Sequence, residues 1–490
     1  MERAGKRSEV QERRAVLPQA QRTSAGRAGR NRYAGSFAAG VGLIAALMGG
    51  LAYWNLRKEQ RDNAMLAALR RKQTDRVMRL LTQGADPNAR ERPYVRRSLW
   101  EHITGLFDRL SDQAVGQRTE ASALALAVEQ GDTQSTRALI ARGARDADPQ
   151  VIDLGYFGDG SPRPLILIAV HQGNREIVQA LLDQGAKLES RDGYGWTALM
   201  VGIDGLHKSL ANNGLSGPER QAVLQKYRGV LRLALDRGVP LEEGDEEGET
   251  ALRHAVQANE PEIVADLLAR HADPNHPDSM GKWTPFSAAV HRNDIPMVEA
   301  MSAKGARVNP VVGEPPLLIA LEPDKSDTSA PDPALLRLLL ARGADVHARK
   351  RSGSDDEHSN WTALLLAAGL VGRAHQEQAL QLLLAHGADI EEHTSPDQRT
   401  ALMMVAQRGA VPALRLLLDH GARIEACDHT GNTALHYAVQ EKNAATIRLL
   451  LQRGANINAY NAQGHTPLDF ASGTHDRAII ALLNRPSARP

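Results

Sequence analysis

One pattern of apolar and polar positions is repeated along most of this chain. Each copy opens on a threonine followed by small and apolar residues, as in Thr433-Ala434-Leu435-His436-Tyr437-Ala438, and it closes on leucines, then Gly-Ala, then a small polar turn. Leu80-Leu81-Thr82-Gln83-Gly84-Ala85-Asp86-Pro87-Asn88 is the first closing phrase. Gly-Ala returns at 143–144, 185–186, 305–306, 343–344, 387–388, 421–422 and 454–455, with variants at Gly238-Val239 and His271-Ala272. The opening threonine suits a helix start, where its hydroxyl caps free backbone N–H groups and the apolar positions after it face a neighbour. The closing glycine suits a helix end, because it accepts a left-handed conformation without a Cβ penalty, and the Asp, Asn and Pro residues beyond it suit a turn.

The spacing is regular where nothing interrupts it: Ala272 to Ala306 is 34 residues, Ala388 to Ala422 is 34 and Ala422 to Ala455 is 33. The opening phrases at Thr433, at Thr250-Ala251-Leu252-Arg253-His254-Ala255 and at Thr466-Pro467-Leu468-Asp469-Phe470-Ala471 resemble the ankyrin signature Thr-Pro-Leu-His-x-Ala. Weaker copies begin at Thr197, Thr284, Thr362 and Thr400. The resemblance to the ankyrin family covers roughly residues 60–485. It implies an all-α ankyrin-repeat solenoid over residues 57–490, with about ten or eleven repeats. Each repeat would be two antiparallel helices followed by a β-hairpin finger. Spacing stretches mark insertions near 91–121, 204–229, 322–333 and 349–360. In the first, Ser98-Leu99-Trp100-Glu101 opens a helix candidate lined by Leu99, Ile103, Phe107 and Leu110. The second reads as a loop before Pro218, then a lengthened helix bearing Val223, Tyr227, Val230 and Leu231.

The pattern is absent from the N-terminal segment. Residues 1–32 form a basic tail, read as disordered, with nine Lys/Arg against Glu2, Glu9 and Glu12. From Tyr33 to Leu56 there is no charge, and at about 1.5 Å per helical residue the stretch reaches across a hydrocarbon core of about 30 Å. Tyr33, Tyr53 and Trp54 stand at its ends, where amphipathic rings prefer the headgroup layer. Residues 33–56 are therefore expected to form one transmembrane helix, with a cleaved signal peptide ending near Gly50 and Ala52 as the rival. The tail's charge places it in the cytoplasm and the array on the far side, in a bacterium the periplasm, although Arg57, Lys58 and Arg61 pull the other way. Ala38, Gly42, Ala46 and Gly50 form a small-residue ridge on which a second copy could pack.

Composition narrows the function. Lys plus Arg (59) and Asp plus Glu (58) nearly cancel, so no overall field would hold the chain on nucleic acid. The single cysteine, Cys427, excludes an internal disulfide and every multi-cysteine zinc pattern. No nucleotide-binding glycine loop, His-Glu-x-x-His or Gly-x-Ser-x-Gly occurs, and the histidines fall mostly at repeat positions, among them His271, His386, His420 and His436. No metal or cofactor is expected. The leading reading is a membrane-tethered scaffold that binds a protein partner without catalysis. Two others stay open: an effector with activity in an insertion, and a structural role through oligomers of the membrane helix. Trp196, Trp283 and Trp361 each immediately precede an opening threonine. The ankyrin resemblance implies that they lie exposed at finger bases facing the binding groove, with Tyr194, Asp245, Glu246, Glu247 and Glu249 as a polar rim.

Overall fold

A computed structural model describes residues 27–91, 122–144, 163–211, 214–322, 332–351, 360–370, 375–473 and 476–484, with side chains from residue 46 onward. The chain divides into two compact units, Met1–Glu120 and Ala121–Pro490. In the first, helix α1 (Arg27–Arg70) is followed by α2 (Thr74–Thr82). The expected span and the first repeat are thus one continuous helix, since residues 57–70 hold no glycine or proline and several strong helix formers. Met65, Leu66 and Leu69 of α1 are buried, as are Val77 and Leu81 of α2. Farther back on α1, Leu47, Leu51, Tyr53 and Trp54 are exposed. Among the described residues no helix is long and apolar enough to cross a membrane; within the expected span at 33–56, side chains are described only from residue 46.

The second unit is a stack of ten helix pairs among the described residues, from Ala123–Glu129 with Thr133–Ala141 to Pro467–Gly473 with Arg477–Leu483. First helices are short and nearly all apolar because they are covered on both sides by neighbouring pairs: every residue from 401 to 406 is buried. Second helices are two-sided, with Ala413, Leu414 and Leu417 buried on Val411–Asp419. Thr250, Thr284 and Thr400 cap as anticipated, Thr284 accepting from the Ser287 N–H at 3.1 Å, whereas the Thr362 hydroxyl makes no cap bond. The closing Gly-Ala is a Schellman end. Gly421 has φ 89°, its N–H reaches the Leu418 carbonyl at 3.1 Å, and the Ala422 N–H reaches Leu417 at 3.0 Å.

The structure departs from the expected fingers. No strand forms among the described residues; the finger arms make only isolated bridges at Arg349 and Thr362, His393 and Thr400, and Cys427 and Thr433. The arms are too short for a ladder, so side chains close the turns instead.

Near 204–229, α7 (Ala198–Leu210) and α8 (Gly217–Asp236) make one enlarged pair, counting helices in chain order. Residue 204 therefore belongs to a lengthened first helix and not to a loop. Tyr227 donates to the His171 carbonyl at 2.8 Å. Gly205 permits this close packing, because a Cβ there would stand 2.1 Å from that same carbonyl oxygen. The helix candidate at 98–110 and most of the insertions near 322–333 and 349–360 lie outside the described residues.

Candidate partner-binding site

The finger turns are built around a buried acid placed five residues before the capping threonine. Asp192 accepts from the N–H groups of Tyr194 at 3.0 Å and Trp196 at 2.9 Å. Its other oxygen meets Arg163 at 3.0 Å, with both side chains buried. Asp245 repeats the device, accepting from the Glu247 and Glu249 N–H groups at 3.0 and 2.9 Å. Asp428 does so once more for Thr430 and Asn432, both at 2.8 Å. Each turn needs one residue with positive φ, supplied by Gly195, Gly248 and Gly431. Single backbone bonds then join neighbouring fingers: Glu246 N–H to Tyr194 at 3.2 Å, and Ser279 N–H to Glu247 at 2.9 Å. The tips are held in a fixed row.

Between the first two of these fingers lies a cavity of about 480 Å³. Six of the eight residues singled out from the sequence line it: Tyr194, Trp196, Asp245, Glu246, Glu247 and Glu249. Arg163, Asp204, Lys208, His254 and Gln257 complete the lining. Trp283 and Trp361 are not part of it. The indoles are half-buried, not exposed. Trp196 stands edge-on to His254 with centroids 4.9 Å apart, and Trp283 edge-on to His291 at 5.2 Å. Trp361 packs at the end of its own first helix, where a Cβ on Gly369 would meet its ring at 3.4 Å. Their position before the threonine makes them stem residues, covering the first helices, while Tyr194, Glu246 and Glu247 are exposed.

Most charges in the cavity are paired. Burial acts to raise the Asp204 carboxyl, but hydrogen bonds from His171 and Lys208 outweigh it and hold the group below its ordinary value. Asp245 meets His254 Nε2 at 3.0 Å. Glu249 meets Arg253 at 2.8 Å and accepts from Gln257 at 3.0 Å. Asp245, Glu249 and His254 each offer one atom within 4.8 Å of the others, a spacing that could hold a metal ion. Those atoms already serve the finger, and the Arg253 guanidinium beside Glu249 opposes a bound cation.

Sequence reasoning missed Arg163, Asp204, Lys208, His254 and Gln257. The recurring acid before each threonine, at Asp192, Asp245 and Asp428, was a legible signal for the turn. Nothing local marks Asp204 and Lys208, which reach the cavity from the lengthened helix Ala198–Leu210.

Comparison with known proteins agrees with this architecture. A model described as ankyrin repeats in three copies matches residues 124–212, 326–426, 364–461 and 427–489, and a single ankyrin-repeat model matches 247–279. The chain is similar to human (Homo sapiens) ankyrin repeat and SOCS box protein 6, 31% identical over 178 residues, which are 34% of this chain and 41% of that protein. It is also similar to ankyrin repeat protein nuc-2 of Neurospora crassa, 26% identical over 56% of this chain and 22% of that one. Rabankyrin-5 of Homo sapiens is 27% identical over 42% of this chain and 18% of its own length. The matches thus span less than half the length of each of these relatives. The chain belongs to the ankyrin-repeat family.

Proposed function

We propose that this protein is a membrane-tethered scaffold that binds a partner protein along the fingers and the concave side of its array, and that it acts by binding and not by catalysis. The observation that carries this reading is the cavity at Tyr194, Trp196 and residues 245–249, held open by side-chain-locked turns. A fixed aromatic and acidic surface fits recognition, since little conformational freedom is left to lose on binding. Trp283 and Trp361 belong to the same row of fingers and extend the surface from their stems. A photo-crosslinking residue placed at position 194 of the full chain should capture one protein in its native cell, whereas one at Glu299, exposed on a second helix, should not. Capture from position 299 alone, or from neither, would remove the fingers as the binding surface.

The tether in this reading is the charge-free stretch 33–56, with the array on the side away from the basic tail. The exposed Leu47, Leu51, Tyr53 and Trp54 support an apolar environment for this part of helix α1. The ridge Ala38, Gly42, Ala46 and Gly50 would let two such helices meet. Resistance of the chain to alkaline extraction from membranes tests the tether; release by alkali would favour the alternative of a signal-cleaved periplasmic protein.

A further inference from the structure

The charges around the cavity are unequal. Its lining carries Asp204, Asp245, Glu246, Glu247 and Glu249 against Arg163 and Lys208. The inner groups are engaged with one another: Asp204 with Lys208 at 2.9 Å, Asp245 with His254, and Glu249 with Arg253. Arg163 is committed to Asp192. Glu246 and Glu247 differ from these. Both are exposed, and their carboxylates form no hydrogen bond or ion pair with a described residue. Their backbones are nevertheless fixed, by the Glu246 N–H on Tyr194, the Glu247 N–H on Asp245 and the Ser279 N–H on the Glu247 carbonyl. Two unneutralised carboxylates, carried on a hydrogen-bonded backbone, therefore line the same cavity as Tyr194, 41% exposed, and the half-buried Trp196.

This combination discriminates among occupants. An acidic group would be repelled, and an apolar one would cover the carboxylates without replacing their water. An ammonium supplies charge alone. A guanidinium supplies charge, paired donors for carboxylate oxygens and a flat face that stacks on aromatic rings, and it gives up its hydration more readily. A volume of about 480 Å³ exceeds one such side chain and leaves room for its flanking residues.

We propose that this cavity receives an arginine side chain of the partner protein, the guanidinium lying against the wall formed by Tyr194 and Trp196 and pairing with Glu246 and Glu247. The proposal rests on the reading of the array as a protein-binding scaffold and specifies what that scaffold recognises.

The test uses the full chain labelled with fluorinated tryptophan, the Trp196 resonance being assigned with Trp196→Phe. The probe is the capped pentapeptide Gly-Ala-Arg-Ala-Gly, compared with versions carrying lysine or citrulline. The arginine peptide should shift the Trp196 signal saturably, the lysine version should bind about tenfold more weakly, and the citrulline version should produce no shift. The double change Glu246→Gln with Glu247→Gln should weaken the arginine peptide about tenfold, while Glu377→Gln, on the exposed face of a distant helix, should leave it unchanged. Equal binding of the citrulline peptide, full affinity in the double variant, or no shift up to about 10 mM would each overturn the proposal. Crosslinking from position 194 separates the two readings. If the double variant still captures the same partner in full yield, the scaffold stands and the arginine reading falls. If the peptide binds as described but no partner is captured from the fingers, the arginine site stands and the scaffold reading falls.

Discussion

Glu260 carries a testable consequence of how tightly the repeats pack. It sits immediately before the helix Pro261–Ala269, caps nothing with its side chain, and is only 7% exposed. Burial pushes its carboxyl up to about 7, opposed by the Arg220 cation and reinforced by the Glu262 anion. In the unfolded chain the same group ionises near 4.3. The folded value is the higher one, so the sign is unfavourable to folding at neutral pH. Below about pH 4 both states are protonated and the group contributes nothing; between about 4 and 7 the unfolded chain ionises first and stability drains away; above about 7 the loss is constant. A separation of between two and three pH units corresponds to a loss of about 4 kcal/mol at most, and partial access of water to the site brings the expectation nearer to about 2 kcal/mol. Glu260→Gln removes the titration while keeping the shape. The variant should be more stable than the parent by about 2 kcal/mol at pH 8 and indistinguishable from it at pH 4. Because repeat arrays open locally, the readout should include hydrogen exchange at the Ile263 and Val264 amides, which bond the Glu260 carbonyl at 3.1 and 3.0 Å, alongside thermal melts across the pH range. Parallel pH profiles for the two proteins, or a less stable variant at pH 8, would refute the argument.

Other substitutions test the packing directly. His271 stands where the other second-helix closing phrases have glycine and is held at φ 67°, so His271→Gly should raise stability by about 1 kcal/mol, measured by denaturant melts. Gly205→Ala would drive a methyl onto the His171 carbonyl, and a loss of about 3 kcal/mol is expected, with the enlarged pair at 198–236 losing exchange protection first. Trp283→Ala should lower stability by about 2 kcal/mol, because the indole packs on His291 and under Arg253; an unchanged melting midpoint would show instead that the ring is a free surface group.

Much of the architecture could be read from local backbone demands. Gly-Ala at the helix ends and threonine at the starts are each imposed by a few neighbouring atoms, so they recur wherever the local geometry does. What could not be read depends on contacts between distant segments. The last part of the helix Ala198–Leu210, from residue 204, looks like a loop in sequence because its glycine suggests a break, whereas Gly205 admits the His171 carbonyl. By contrast, the place of His271 in the Gly-Ala closing phrase did mark it for the left-handed conformation usually given to glycine. The tryptophans were placed correctly before their threonines, but the inference from position to exposure failed. A stem residue has the first helix beneath it, and a large ring there is half-covered by that helix.

The same distinction predicts that the proposed binding and folding can be separated in this array. Asp192, Asp245 and Asp428 hold their turns through backbone N–H groups, and such bonds do not depend on which side chains the tip carries. Changing a buried acid would free several donors at once and loosen its finger together with the bond to the next one. Changing Tyr194, Glu246 or Glu247 removes only what the finger displays. The tips are therefore the part of each repeat where sequence is free to encode recognition, and the cavity between 192–196 and 245–249 is where the fixed turns set two aromatic rings beside two unpaired carboxylates. In the proposed mode, recognition depends on how neighbouring fingers are spaced, and deleting either repeat should abolish it even though each remaining finger keeps its own turn.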